Sequence, residues 1–331
     1  MTNNFETKAL HSGYEPDSTG SRAVPLHRTG SYVFKDTEHA ANLFGLKELG
    51  NIYTRIMNPT QDVLEKRIAD LEGGVGALAL SSGTSAIFYA IINICKQGDE
   101  VVSSSNLYGG TYTQFNNILP QFGINTSFVD VKDLSSFEAA INEKTRVIFI
   151  ETIGNPTLDV ADIEGISKIA KKHNLPLVVD STFTTPFLLR PIEHGANIVI
   201  HSLTKWIGGQ GNAIGGIVVD AGNFDWTDPK FELFNEPEAS YNNLRFAHDL
   251  GPLTPLAYIL RMRLVPLRNL GACISPDNAW QFIHGLETLA LRLERHCENT
   301  LKVAQYLENH PKVSWVKYPG LEGDSNKELA K

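Results

Sequence analysis

Short, continuously apolar runs alternate with helical stretches through the middle of the chain, and this alternation constrains the fold more than any other feature. A helical stretch at 163–173 separates two of the runs. Strands that are apolar on both faces are typical of a mostly parallel sheet covered by helices. We therefore predict an α/β fold, in which IGGIVVD from Ile214 is an edge strand or a reversed one. The four clearest runs are residues 100–104, 147–151, 177–181 and 198–202.

Three segments define the predicted domains. Residues 1–58 are irregular but rich in apolar side chains, which predicts an arm packed on another surface, such as a second subunit. Residues 59–270 hold the α/β domain, in which the aromatic stretch 224–243 is predicted to be a surface insertion. Residues 271–331 contain a long helical pattern and a strand-like run from Val313. These are too few elements to close a second core, so the C-terminal domain is expected to be incomplete.

Composition and charge argue against several classes of protein. The 331 residues include 29 basic and 37 acidic side chains, a formal charge of −8, whereas nucleic-acid binders need a basic surface. No apolar run reaches the roughly 18 residues of a membrane span. The 3 separated cysteines offer neither a disulfide framework nor a CxxC metal pair, and the start lacks a secretory signal. We expect a cytoplasmic protein that binds no nucleic acid, membrane or metal.

The strongest indication of chemistry is an acid and an amine that follow successive apolar runs. Asp180 ends VVD, and Lys205 follows in IVIHSLTK, with enough chain between them for a right-handed crossover. Both side chains should open onto the carboxyl edge of the sheet, where open α/β sheets bind ligands. For an isolated pair, a structural salt bridge at a strand end would be the better explanation, and only the surrounding residues favour a binding site. A carboxylate near an amine also suits pyridoxal phosphate, whose aldehyde condenses with lysine and whose ring nitrogen needs an acidic partner.

Polar and aromatic residues at the same sheet edge fit a phosphate and a planar ring. Two hydroxyls flank the lysine, and the SSGTSA turn starts a buried helix, where free N–H groups and the dipole favour an anion. An Asn-Pro turn follows VIFIET, and a tyrosine lies beside two glycines. Each feature alone is also explained by a cap or a turn. The candidates are Ser202, Thr204, Gly83, Thr84, Asn155 and Tyr108.

Two other enzyme classes share parts of this pattern. A nucleotide-binding dehydrogenase has a similar sheet, but GxGxxG is absent between a strand and a helix, and GGVGAL follows a helix instead. A metal hydrolase needs clustered ligands, whereas the 10 histidines are dispersed and form no HExxH motif. A protein that binds the cofactor without turnover remains a further alternative.

Six motifs, taken together, resemble the Cys/Met-metabolism enzymes that depend on pyridoxal phosphate. The resemblance spans nearly the whole chain and implies the aspartate-aminotransferase-like fold, which is fold type I. Any one of the motifs would be weak, but their shared order and spacing are specific. They are YTRIMNPT from Tyr53, SSGTSA from Ser81, LYGGTY from Leu107, ETIGNPT from Glu151, VVDSTF from Val178 and HSLTKWIGG from His201.

The resemblance implies a role for each matching residue. Lys205 would bind the cofactor aldehyde and then move protons, Asp180 would pair with the ring nitrogen, and Tyr108 would stack on the ring. Asn155 would contact the phenolic oxygen. The phosphate would be held by backbone N–H groups and hydroxyls of one subunit, joined by the arm of its neighbour, which implies a dimer and usually a dimer of dimers. The phosphate residues are Gly83, Thr84, Ser202 and Thr204, with Tyr53 and Arg55 from the neighbouring arm.

Within the family, YGGTYTQF and the long stretch 222–296 resemble the O-acetylhomoserine sulfhydrylase branch. This resemblance implies γ-replacement, in which O-acetyl-L-homoserine and sulfide give L-homocysteine and acetate in methionine and cysteine biosynthesis. Cystathionine γ-synthase and methionine γ-lyase are the alternatives within the family. The family arginine that binds the substrate carboxylate falls in a stretch that has no match here.

Overall fold

The structure, a computed structural model, describes residues 4–331 and alternates strands with helices through the middle of the chain. The helices are α1 (Phe5–His11), α2 (Thr37–Phe44), α3 (Pro59–Glu72), α4 (Gly83–Ile92), α5 (Gly109–Thr113), α6 (Leu134–Ala140), α7 (Ile163–Lys172), α8 (Thr185–Leu188), α9 (Glu232–Asn235), α10 (Ala257–Met262), α11 (Arg268–Leu270), α12 (Pro276–Glu287) and α13 (Leu289–Glu308). The strands are β1 (Gly76–Leu80), β2 (Glu100–Ser104), β3 (Asn125–Val129), β4 (Thr145–Glu151), β5 (Leu177–Asp180), β6 (Ile198–His201) and β7 (Gly216–Asp220).

These strands form one sheet in the order β1-β7-β6-β5-β4-β2-β3. Neighbours from β6 through β3 run parallel, whereas β7 is antiparallel to both β6 and β1. The prediction of a mostly parallel sheet is therefore confirmed. The run from Ile214 forms a reversed strand in the interior of the sheet, so the edge alternative is wrong. Strand β3 was not predicted from the sequence because NTSFV is half exposed at the sheet edge and carries polar residues.

Alternate residues along each strand face two separate apolar cores. On β6, Val199 packs with the core under α3, α7 and α12, whereas Ile198 and Ile200 pack with the core under α4 and α10. Since side chains alternate across a strand, a strand buried on both faces must be apolar throughout. This burial explains the continuous apolar runs. It also leaves the strand ends as the sites where polar side chains meet solvent.

The aromatic stretch 224–243 is part of a core, so the predicted surface insertion is wrong. Trp226 stacks on Phe234 with ring centroids 4.3 Å apart, and on Tyr258 at 5.2 Å. Phe231 packs edge-on against the same indole. Stacked and edge-on rings gain energy beyond area burial, and they need no regular helix or strand to do so. The short helix α9 therefore sits in an otherwise irregular segment that is anchored by buried aromatic side chains, whereas many of its polar residues are exposed.

Both ends of the chain differ in part from the sequence expectation. The arm contains α1, which packs on α3, where the fully buried Arg67 donates to the Ser12 carbonyl at 2.8 Å. The run from Val313 forms no strand among the described residues, because it pairs with no sheet edge. The helical pattern after Pro276 breaks at Thr288 into α12 and α13. The proposed domain boundaries stay a prediction. No helix within residues 4–331 is long and apolar enough to cross a membrane.

Candidate active site

A cavity of about 720 Å³ opens at the carboxyl ends of β1, β2, β4, β5 and β6. The strand ends bring most of the predicted residues together there, although these residues lie far apart in the sequence. Tyr53 and Arg55 are outside the lining. The predicted residues that line the cavity are Gly83, Thr84, Tyr108, Asn155, Asp180, Ser202, Thr204 and Lys205.

Asp180 is the last residue of β5, and its side chain is 9 % exposed. One carboxylate oxygen accepts the Thr182 backbone N–H at 2.9 Å. Burial raises the pKa of Asp180, and the Thr182 hydrogen bonds oppose that shift only in part. A buried carboxylate ionises readily only beside a cation. A protonated ring nitrogen in the cavity would supply that cation, which fits the predicted partner of Asp180.

Lys205 lies in the turn after β6, with its side chain exposed to the cavity. Among the described residues, its amine has no hydrogen-bond or ion-pair partner. The turn is closed by a hydrogen bond in which the Lys205 carbonyl accepts the Gly209 N–H at 2.8 Å. An unpaired amine on a fixed backbone suits condensation with an aldehyde.

Arg292 braces the segment that carries the lysine. Its guanidinium donates to the carbonyls of Trp206 at 2.7 Å, Gly285 at 2.8 Å and Ile207 at 3.2 Å. A Cβ on Gly209 would lie 2.2 Å from the same guanidinium, so the backbone passes close against it. Arg292 lines the cavity, but its hydrogen-bond donors are committed to these carbonyls and to the Thr288 hydroxyl. It is therefore not free to bind a substrate carboxylate.

The start of α4 forms an open anion cradle. The Ser82 hydroxyl caps the Ser85 N–H at 3.1 Å, whereas no described backbone carbonyl accepts from Gly83 or Thr84. A Cβ on Gly83 would lie 2.6 Å from the Ser202 Cβ, so only glycine lets the helix start lie against that serine. Free N–H groups and the helix dipole attract an anion. The cradle fits a phosphate group.

The two predicted hydroxyls differ in their availability. The Thr204 hydroxyl donates to the Gly215 carbonyl at 3.2 Å and accepts the Gly215 N–H at 3.1 Å. The Ser202 hydroxyl has no partner among the described residues. A phosphate dianion needs donors, so Ser202 is ready to bind it, whereas Thr204 must first release Gly215.

Tyr108 and Asn155 complete the floor of the cavity from two loops. The Tyr108 ring lies over Gly110, where a Cβ would be 2.5 Å from the ring, and it is 48 % exposed. An exposed flat face on a fixed glycine suits stacking on a planar cofactor. Asn155 precedes a cis peptide bond to Pro156, and its side-chain amide has no partner within residues 4–331.

Tyr53 and Arg55 lie on the arm, away from the cavity of their own chain. The Arg55 guanidinium carbon is 5.3 Å from the centre of the Tyr53 ring, and the guanidinium donates to the Arg268 carbonyl. Tyr53 is 44 % exposed. This position is compatible with contact to another subunit, and their role in binding its phosphate stays a prediction.

Several lining residues were missed from the sequence. Glu151 ends β4 and pairs in register with Asp180, so the equal ends of neighbouring strands could have revealed it. Trp206 and His296 lie at the rim with ring centroids 5.0 Å apart, and Phe183 lies beyond Asp180. Nothing local in the sequence indicates that residues 206 and 296 meet. Their contact depends on how α13 packs against the turn after β6.

Residues 6–331 match the model of the Cys/Met metabolism PLP-dependent enzyme family. The chain belongs to this family, so the resemblance is confirmed and pyridoxal phosphate is its cofactor. The free lysine, the buried carboxylate and the open helix start described above fit that cofactor. A solved relative shares the fold with a TM-score of 0.96, which confirms the fold type I prediction.

The similar proteins are mostly sulfhydrylases. The chain is 55% identical to the O-acetyl-L-homoserine sulfhydrylase of Leptospira meyeri, over 100% of this chain and 77% of that protein. It is 51% identical to the homocysteine synthase of Schizosaccharomyces pombe, over 99% and 76%. The solved relative is a putative O-acetylhomoserine (thiol)-lyase from Campylobacter jejuni, 41% identical, covering 99% of this chain and 81% of that one. That structure carries N'-pyridoxyl-lysine-5'-monophosphate at position 205.

Proposed function

We propose that this chain catalyses γ-replacement, in which O-acetyl-L-homoserine and sulfide give L-homocysteine and acetate. The observation that carries the proposal is the 55% identity to an O-acetyl-L-homoserine sulfhydrylase across the whole of this chain. The cavity supports it, because a free lysine amine and a buried carboxylate face the same space.

The proposed role of each residue follows from its position in the cavity. Pyridoxal phosphate, when bound, supplies a ring that stores the electron pair released at the substrate α-carbon. Lys205 takes the α-proton at its Nζ atom and returns protons later, because its amine faces the cavity without a competing partner. Asp180 keeps the ring nitrogen protonated, which electron storage requires. Tyr108 would stack on one face of the ring, because its exposed side chain lines the cavity.

The substrate atoms balance without an external oxidant or reductant. One proton leaves the α-carbon and one leaves the β-carbon, and the bond from the γ-carbon to oxygen breaks as acetate departs. Hydrosulfide then forms the new carbon–sulfur bond at the γ-carbon. The two protons return to the α- and β-carbons, so the net change is exchange of acetate for sulfide.

Phosphate binding and self-association form the less direct part of the proposal. We assign the phosphate to the N–H groups of Gly83 and Thr84 and to the Ser202 hydroxyl, with Tyr53 and Arg55 contributed by a neighbouring copy. The open helix start and the exposed Tyr53 ring support this assignment. It implies at least a dimer, and a dimer of dimers follows from the family resemblance. A cytoplasmic location is proposed with it, supported by 3 free cysteines.

The test combines two variants with a panel of acceptors. Lys205→Ala should abolish turnover and the visible absorbance of the lysine-bound cofactor, and Asp180→Ala should nearly abolish turnover. Lys168→Ala is the matched control, because that lysine is exposed on α7 and does not line the cavity. Normal activity of Asp180→Ala would refute its role as the partner of the ring nitrogen.

The acceptor panel separates the alternatives. Homocysteine formed from O-acetyl-L-homoserine and sulfide supports the proposal. Cystathionine formed only with cysteine would identify a cystathionine γ-synthase, and ammonia released without an acceptor would identify a γ-lyase. Bound cofactor with no turnover of any substrate would identify a non-catalytic protein.

A further inference from the structure

We propose that Glu151 is a positioning residue of the cofactor site, whose carboxyl group ties the loop of Tyr108 to the end of strand β4. This role depends on the proposed role of Tyr108 in stacking on the cofactor. Glu151 itself need not contact the substrate.

The Glu151 carboxyl lies within hydrogen-bond distance of the Tyr108 backbone. Glu151 is the last residue of β4 and is 7 % exposed. Its Oε1 atom accepts the Tyr108 backbone N–H at 2.7 Å. This buried side chain thus holds the backbone of the loop that carries Tyr108 to the cavity floor.

The Tyr108 loop depends on this bond because other contacts at the ring are few. The ring rests on Gly110 and is 48 % exposed. Before it, the Asn106 side chain donates to Asp159 at 2.7 Å, which fixes the loop two residues earlier. Only the bond to Glu151 fixes the tyrosine at its own backbone N–H. Loss of that bond should let the ring move relative to the cofactor plane.

The surroundings of Glu151 favour a neutral carboxyl group that accepts a hydrogen bond over an ionised carboxylate. No basic side chain in the described part of the chain pairs with it, and its register partner is Asp180. Burial and the neighbouring Asp180 charge raise the pKa of Glu151 to about 8. A carboxyl that is protonated near neutrality keeps a carbonyl oxygen that accepts N–H donors. Its role is therefore retained without ionisation, and the neutral form avoids repulsion with Asp180.

Two substitutions that both remove the Glu151 carboxyl group should therefore differ in their effect. Glu151→Gln keeps an acceptor oxygen of the same reach, whereas Glu151→Ala removes it. We expect the glutamine variant to bind pyridoxal phosphate within about threefold of the parent. The alanine variant should bind it roughly tenfold or more weakly, since one hydrogen bond that orders the site is lost.

The experiment uses the full chain freed of cofactor. Cofactor affinity is measured by absorbance titration, and amide hydrogen exchange of the peptide containing Tyr108 is measured before cofactor is added. Glu151→Ala should exchange faster in that peptide, and Glu151→Gln should not. Glu143→Ala is the matched control, because Glu143 is an exposed glutamate just before β4 with no side-chain partner in the described residues.

A double variant tests whether Glu151 acts through the tyrosine. In a Tyr108→Ala background, Glu151→Ala should weaken cofactor binding by much less than it does in the parent protein. Equal losses for Gln and Ala would overturn the proposal and assign Glu151 a charge effect on Asp180. Parent-like affinity and exchange for Glu151→Ala would overturn it outright. Absence of turnover in the parent would remove the proposed reaction but leave these binding results as a separate test.

Discussion

Replacing Gly216 with alanine should weaken binding of the cofactor phosphate without touching the phosphate directly. Gly216 begins β7 and lies opposite Leu80, the last residue of β1. A Cβ at this position would be 2.2 Å from the Ser82 carbonyl oxygen and 2.7 Å from the Gly83 nitrogen. Both atoms belong to backbone, so no flexible side chain is available to move aside. The turn from β1 into α4 must shift instead.

The size of the shift follows from ordinary contact distances. Non-bonded heavy atoms rest about 3.5 Å apart, so the turn and β7 must separate by roughly 1 Å. Such overpacking costs about 1–3 kcal/mol of stability. A hydrogen bond to a charged group contributes about 1.5–3 kcal/mol, so losing one phosphate contact from Gly83 raises the Kd about tenfold to a hundredfold.

The assay compares pyridoxal phosphate with pyridoxal, which lacks the phosphate. In cofactor-free Gly216→Ala, the affinity for pyridoxal phosphate should fall, whereas the affinity for pyridoxal should stay nearly unchanged. Gly30→Ala is the control, since nothing lies within 4 Å of its added Cβ. Equal losses for both ligands would show that the whole site is disturbed. Parent-like affinity for pyridoxal phosphate would refute the assignment of the phosphate to the start of α4.

Three further variants test other parts of the structure. Glu72→Ala leaves the fully buried His201 without its partner at 2.5 Å. The free energy of unfolding, measured by denaturant titration, should therefore fall by about 3–5 kcal/mol. A loss below about 1 kcal/mol would contradict this expectation. Burial raises the pKa of Asp220 to about 7. The folded state then holds the Asp220 proton more tightly than the unfolded state does. The free energy of unfolding therefore falls as the pH rises from about 4 to 7. Asp220→Asn should flatten this part of a plot of Tm against pH. Trp226→Ala should lower the free energy of unfolding by about 3–5 kcal/mol in the same titration. If the segment were a surface insertion, this substitution would hardly change that free energy.

The sequence predicts the centre of this fold well because the centre is buried on both sides. The run 100–104 coincides with β2, and the run 177–181 differs from β5 by one residue. Because each parallel strand ends at the same edge, the sequence alone is enough to place Asp180 and Lys205 on one cavity. The mostly parallel sheet followed from the same residues.

Other features depend on contacts that local patterns do not record. Trp226 is buried by Tyr258, far along the chain, and its own neighbours include aspartates and a proline. The bond from Tyr108 to Glu151 spans two strands, and only the register of the sheet brings them together. The commitment of Thr204 to Gly215 is likewise invisible in HSLTK, where its hydroxyl and that of Ser202 look equivalent.

The fixed positions of the acid and the lysine arise from hydrogen bonds beneath the cavity. A carbonyl oxygen only accepts, so His201 Nδ1 donates to the Ser181 carbonyl at 3.1 Å. The other ring nitrogen of His201, Nε2, shares a hydrogen bond with the Glu72 carboxyl. The turn held in this way continues to Thr182, whose hydroxyl accepts the Ser202 N–H at 2.8 Å. That bond joins the ends of β5 and β6 just beyond Asp180. The carboxylate and the segment leading to the lysine are therefore linked through hydrogen bonds, and a substitution of Glu72 should disturb both groups together.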